Sequence, residues 1–179
     1  MEDQWLYKER QAFDYIHARF IQSGVTDWKR LVTQAYNNLN PGGYLELQES
    51  DMAPMSDDGT LTRAHALHRF WTLINEAATR LGRPFIKVPT LKGILTEVGF
   101  EAVDMHEFKW PINAWHPHHE RDPWILGMRN EENLKDGIEA MGMAPLTRGG
   151  GMSREEVTVF LTYVRKDVKN RGVHAYFPL

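Results

Sequence analysis

Apolar side chains recur along this chain at two spacings. Trp28, Leu31, Val32, Ala35, Tyr36 and Leu39 fall at i, i+3, i+4, i+7, i+8 and i+11, the stripe of an amphipathic helix. Thr26 or Asp27 stands where its cap belongs. A longer helix is predicted from about Leu61 to Leu81, with Leu67, Phe70, Trp71, Ile74, Ala77, Ala78 and Leu81 on one side and Gly82-Arg83-Pro84 as its stop. Thr90 caps a short helix with Leu91, Ile94, Leu95 and Val98 inward and Gly99 at its end. A weaker pattern covers about 123 to 140. Ser153 with Glu156 then forms a capping box before Val157, Phe160, Leu161, Val164 and Val168.

The second spacing is two. Tyr44 to Glu49 alternates apolar and polar residues, directly after the turn Asn40-Pro41-Gly42-Gly43. Phe13 to Phe20 is aromatic and β-branched and is read as a buried strand. Phe100 to Trp110 is a further strand candidate whose alternation slips near Glu107, as at a bulge. Val173 to Leu179 is a strand-like stub. Residues 51–60 and 111–122 read as loops, and the glycines at 149–151 as a flexible link. Strand, helix, Pro-Gly turn and strand from Phe13 to Glu49 make a βαβ unit, so its two strands should be parallel.

The length of 179 residues suits a single domain, 1–179, with a βαβ unit over 1–60, helices and a strand over 61–110, and a helical cap with a terminal strand over 111–179. A net charge of −3 gives no basic field for nucleic acid or an anionic membrane. No apolar run approaches the ~20 residues of a membrane span. The polar, acidic start and the absence of Cys predict a cytoplasmic protein without disulfides or thiolate chemistry. Six Trp, eight Phe and six Tyr supply either a large aromatic core or an aromatic-lined pocket for an apolar ligand.

The stretches EDQWLY, FDYIHARF, DWKRLVTQAYNNLNPGGYLELQESD and SREEVTVFLTYVRKDVKNRGVHAYFPL resemble class I S-adenosylmethionine-dependent methyltransferases, in the LaeA-like branch of fungal secondary metabolism. The resemblance implies a truncated Rossmann-like α/β fold: a partial, mostly parallel sheet with helices. In the family, three strands precede the equivalent of Phe13, bringing a glycine-rich loop and a carboxylate that grips the donor's ribose. Only twelve residues precede Phe13 here. Phe13–Arg19 would correspond to the fourth strand and would lose its neighbour, leaving an apolar edge. Completion by dimerisation or segment exchange is the expectation, through an apolar homodimer interface of about 1,500 Å² or more.

Three functions follow from that gap. The leading expectation is a cofactor-independent cyclase or isomerase, of the pericyclase type, acting on a small apolar metabolite. The second is a C-terminal fragment of a methyltransferase that uses S-adenosylmethionine when the other half is present. The third is a non-catalytic binding or assembly partner.

His17 and Arg19 end a parallel strand, where α/β sites form. Arg19 is a candidate clamp for a carboxylate or enolate and His17 a candidate proton carrier. Equally, Arg19 would pair with Asp51 or Glu49, and His17 with a backbone carbonyl. Glu46 and Gln48 share one face of their strand and Glu49 the other. Glu49 is a candidate general base if buried, or a solvated strand end. His106 is a candidate catalytic or core histidine. Gln48, His68, Trp71, Phe108, Trp110 and Trp115 are candidate substrate contacts, and Trp124 joins the aromatic set that would fold a flexible substrate. His65 and His68 share a helix face but lack a third metal ligand, and His116, His118 and His119 with Glu120, though more suggestive of a metal, are read as residues of a water-facing Pro-containing loop.

Overall fold

The computed structural model describes residues 3–6 and 13–179. The chain divides into two compact units: Met1–Ser50 with Phe85–His106, and Asp51–Pro84 with Glu107–Leu179. These units interleave along the sequence.

The first unit holds β1 (Phe13–Arg19), α1 (Trp28–Asn38), β2 (Leu39–Gln48) and α3 (Thr90–Val98). The strands β1 and β2 pair in parallel, as the βαβ order requires. Asp27 caps α1 by accepting the Arg30 N–H at 2.9 Å. The apolar stripe of α1 is buried through Trp28, Leu31, Val32 and Ala35, whereas Tyr36 stays exposed. Trp28, Leu31, Val25 and Leu91 form a core against which Leu47, Ile86 and Ile94 pack.

The Pro-Gly-Gly segment is part of β2 rather than a turn before it. Phe13 pairs with Leu39 and Tyr15 with Tyr44, so Asn40–Gly43 bulge out opposite Asp14. Asn40 Nδ2 donates to Asp14 Oδ1 at 2.7 Å and fastens the bulge. Gly42 takes φ +82°, open to glycine at no steric cost. At Gly43 the backbone itself comes close: a Cβ would sit 2.9 Å from the Asn40 carbonyl and 3.0 Å from that of Asp14.

The second unit holds α2 (Ala66–Arg80), β3 (Lys109–Pro111), α4 (Arg121–Arg148), α5 (Arg154–Lys169) and β4 (Tyr176–Pro178). The helix α4 runs well past the weak pattern at 123–140. Gly142 and Gly149, seven residues apart, let Phe70 and Ala77 of α2 approach closely. A Cβ at Gly142 would meet the Phe70 ring at 2.6 Å, and one at Gly149 the Ala77 carbonyl at 2.7 Å. The triple glycine therefore begins as a packing surface. The capping box of α5 forms as expected, Glu156 N–H donating to Ser153 Oγ at 3.1 Å and Ser153 N–H to Glu156 Oε2 at 2.7 Å.

The strand expected over Phe100–Trp110 is reduced to Lys109–Pro111. It pairs antiparallel with Tyr176–Pro178, and Met55 bridges to Tyr176 from the other side. Residues 100–108 carry no strand, and Ala102 sits at φ +50°, which breaks extended pairing. Thr90 differs too: its hydroxyl donates to the Lys87 carbonyl at 2.6 Å instead of capping α3. The fold is thus mixed α/β with one small parallel pair, compatible with a methyltransferase-like core. No described helix is long and apolar enough to cross a membrane.

Candidate functional site

The C-terminal ends of β1 and β2 form the tip where α/β proteins bind ligands. Register puts Tyr15, His17 and Arg19 beside Tyr44, Glu46 and Gln48 on one face. This face is open: Tyr15 is 54% and Tyr44 73% exposed, so the expected burial of β1 does not hold for it. Ile16, Ala18, Leu45 and Leu47 make the opposite face, half-buried. Tyr15 donates its hydroxyl to Glu46 Oε2 at 2.5 Å, and Gln48 Nε2 donates to Glu46 Oε1 at 2.5 Å. These bonds hold the Glu46 carboxyl below its ordinary range, Tyr15 first, then Gln48, with His17 adding a weaker pull. The His17 ring lies parallel to that of Tyr15, centroids 6.3 Å apart.

Glu49 continues the apolar face and is 3% exposed. Phe20 leaves β1 at φ +51°, a left-handed turn that costs about 1 kcal/mol or more for a side-chain-bearing residue. That turn aims the Ile21 N–H at Glu49 Oε1, 2.8 Å away. Burial pushes the Glu49 carboxyl up, opposed by the backbone donors of Ile21 and Gln22. Gln22 Nε2 donates to the Ser50 carbonyl at 2.7 Å. Its Oε1 is buried with no hydrogen-bond partner among the described residues. The strand tip of β2 therefore reaches for the loop that follows β1. Arg19 lies with its guanidinium 6.0 Å from the Phe20 ring centroid, and the backbone of Ile21 is what holds Glu49.

The other sequence candidates are dispersed. His106 is exposed in the segment after α3. His68 is half-buried on α2. Trp71 is 2% exposed and packs edge-on against Phe70 and Phe177, which makes it a core residue of the second unit. Phe108 is 63% exposed, and Trp110 is half-buried on β3. Trp115 stacks on His116 and His174, and Trp124 lies against His118. With Trp71 in the core and Phe108 in solvent, these residues do not line a common aromatic wall. His65 Nδ1 accepts the Thr62 N–H at 3.0 Å and so serves the start of α2. Among the described residues no group of three His, Asp or Glu is placed to hold a metal ion.

Sequence reading passed over a second polar cluster. Asp58 and His174 are joined at 2.6 Å, and Asp57 holds Lys109 and the Tyr176 hydroxyl, the latter at 2.7 Å. Asp58 and His174 lie 116 residues apart, and Asp57 lies 52 from Lys109 and 119 from Tyr176, so no local spacing announces them.

Three glycines have no room for a cofactor: Gly43 is filled by the backbone of Asn40 and Asp14, Gly149 by Ala77 and Gly150 by Leu146.

A small parallel βαβ unit with helices makes a mixed α/β protein whose fold is consistent with a methyltransferase-like one. Residues 1–105 match the family model described as a methyltransferase domain. Methyltransferase pytC of Aspergillus terreus is 34% identical over 179 residues, 99% of this chain and 53% of that protein. Probable methyltransferase tdiE of Emericella nidulans is 33% identical over 175 residues, covering 98% and 54%. Secondary metabolism regulator LAE1 of Cochliobolus heterostrophus is 31% identical over 178 residues, covering 98% and 57%. The chain belongs to the methyltransferase domain family, in its fungal LaeA-like branch. It spans about half the length of the curated relatives it matches. A family of methyltransferases goes with use of a methyl donor, and nothing in these relatives supports the expected cofactor-free reaction.

Proposed function

We propose that this chain is the acceptor-side part of a methyltransferase of fungal secondary metabolism. The whole enzyme transfers a methyl group from S-adenosylmethionine to a small metabolite, and residues outside these 179 grip the donor. One observation carries the reading: a chain matched to the family over residues 1–105 has a parallel β1–β2 pair whose Tyr15–Tyr44 face lies open. Parallel strands are ordinarily covered on both faces, so such a face calls for more protein. The half-length match to the relatives supplies the amount. In this reading Glu49 sets the loop after β1, and Arg19, Gln22 and His17 stand at the tip that borders the reacting groups.

Cyclisation without a cofactor finds less support. It asked for a shared aromatic wall, and Trp71 and Phe108 stand in unlike surroundings.

The experiment is calorimetric titration of S-adenosylmethionine into the chain alone and into the chain joined to the donor half taken from a full-length relative. The expected result is binding and methyl transfer only in the joined protein. Micromolar binding by the chain alone would overturn the division of labour. A joined, folded protein that binds no donor would overturn the methyltransferase reading.

A further inference from the structure

In the second unit, Ser56–Thr60 and Val173–Tyr176 meet around one imidazole. Asp58 Oδ2 lies 2.6 Å from His174 Nδ1. Asp58 Oδ1 accepts the Ser56 hydroxyl at 2.7 Å, the Thr60 hydroxyl at 2.8 Å and the Thr60 N–H at 3.1 Å. Ser56, then His174 and Thr60, hold this carboxyl well below the usual carboxylate range, so it remains an anion that only accepts. The hydrogen shared with His174 then sits on Nδ1, so in the unprotonated form of the ring the lone pair is on Nε2.

The ring is also fixed from other directions. His174 N–H donates to Thr60 Oγ1 at 2.8 Å. Trp115 stacks on the imidazole, centroids 4.9 Å apart and planes 27° from parallel. The Trp115 indole N–H is itself tied to the Ala175 carbonyl at 3.1 Å. The same indole stacks on His116, whose Nδ1 is 2.8 Å from Glu120. Asp57, the other nearby acid, is taken by Lys109 and Tyr176. His174 Nε2 makes no hydrogen bond or ion pair among the described residues, and the side chain is 37% exposed.

A tie between a loop and a strand needs the carboxylate, the backbone bonds and the stack. It does not need a lone pair held at a set angle toward solvent. We propose that His174 is a proton-accepting site for an acidic hydroxyl, a phenol or enol of a small metabolite, with Asp58 as its positioning residue. The ligand's O–H bond breaks, its electron pair stays on oxygen, and the proton bonds to Nε2. The resulting imidazolium is balanced by Asp58, and no oxidant or co-reactant enters. A neutral amine can attack without first losing a proton, whereas a hydroxyl gains most from becoming an oxyanion. The inference goes beyond the methyltransferase reading and concerns the second unit alone, to which it assigns a site for an acidic hydroxyl.

The test uses the purified chain, no methyl donor, and 4-nitrophenol at a pH below the phenol's own pKa. Nitrophenolate absorbance reads the proton transfer, and nitrogen-resolved NMR reads the His174 ring. A saturable rise in nitrophenolate is expected, with His174 as the Nδ1–H tautomer and its Nε2 signal moving on addition. His174→Gln and Asp58→Asn should each cut the rise about tenfold or more. A folded wild-type protein whose His174 Nε2 does not respond at saturating phenol overturns the proposal. So does a rise that persists in folded His174→Gln. Should either variant unfold, the wild-type NMR result decides. Because no donor is present, failure here leaves the methyltransferase reading standing, and failure of donor binding in the joined protein leaves this result untouched.

Discussion

Glu49, one residue beyond the end of β2, accepts the Ile21 N–H at 2.8 Å and so binds the exit of one parallel strand to the exit of its neighbour. The contact is made by a carboxylate 3% exposed, on the face shared with Leu45 and Leu47. A carboxylate there is costly in its charged form, and the backbone N–H groups of Ile21 and Gln22 are what make it tolerable. This bond acts with those from Phe20 N–H to the Gln48 carbonyl and from Gln22 Nε2 to the Ser50 carbonyl to place the β1 tip.

Replacing Glu49 separates its two roles. Glu49→Ala should destabilise the chain by about 1–3 kcal/mol, because it removes the acceptor for backbone donors that water does not reach freely. Glu49→Gln keeps an acceptor and removes the charge. Burial raises the Glu49 pKa, so its favourable contribution is complete below the unfolded value and is lost as pH rises through the folded one. Wild-type stability relative to Glu49→Gln should therefore fall as pH rises from the ordinary carboxylate range through the raised folded value. Urea midpoints along a pH series measure this, and a difference that grows in the wild type's favour with rising pH would refute it.

The bulge in β2 gives a second expectation. Gly43→Ala puts a methyl carbon 2.9 Å from the Asn40 carbonyl and 3.0 Å from that of Asp14, both backbone atoms that cannot swing away. Overpacking of this kind costs about 1–3 kcal/mol. Gly42→Ala has open space and loses only through its φ of +82°, so the cost is about 1 kcal/mol. Thermal denaturation of the two variants should rank Gly43→Ala as the less stable. The reverse order would mean that the bulge is looser than described.

The helix α5 is the plainest case. Ser153 and Glu156 satisfy one another's backbone donors at its start. Ser153→Ala should cost about 1 kcal/mol. Glu156→Gln retains an acceptor on the box and should cost less. Denaturant midpoints check both, and equal losses would show that charge near the helix start outweighs the hydrogen bond.

Local chemistry was legible wherever a pattern and its punctuation agreed. The stripe from Trp28 to Ala35 with Asp27 before it, the Ser153–Glu156 box and the parallel β1–β2 pair are each specified by residues close in sequence. So is the split that sends Glu46 and Gln48 to one face and Glu49 to the other, because strand alternation alone dictates it. The polar tip of Leu-Glu-Leu-Gln-Glu was visible in the same way; what it reaches for was not.

Tertiary packing decided the remainder. Whether Trp71 lined a pocket or filled a core depended on Phe70 and Phe177, one adjacent and one at the far end of the chain. Phe100 to Glu107 has strand-like composition, yet pairing begins only at Phe108, where Leu179 and then β4 offer partners, because a strand is stable only through its neighbours. The far end of α4 packs on α2 through Gly142 and Gly149, a contact that periodicity within α4 does not encode. Asp58 and His174 lie 116 residues apart and were brought to 2.6 Å by the fold. Short-range order follows from the sterics and hydrogen bonding of adjacent residues, and a site is made of distant ones, which only the packed chain brings together.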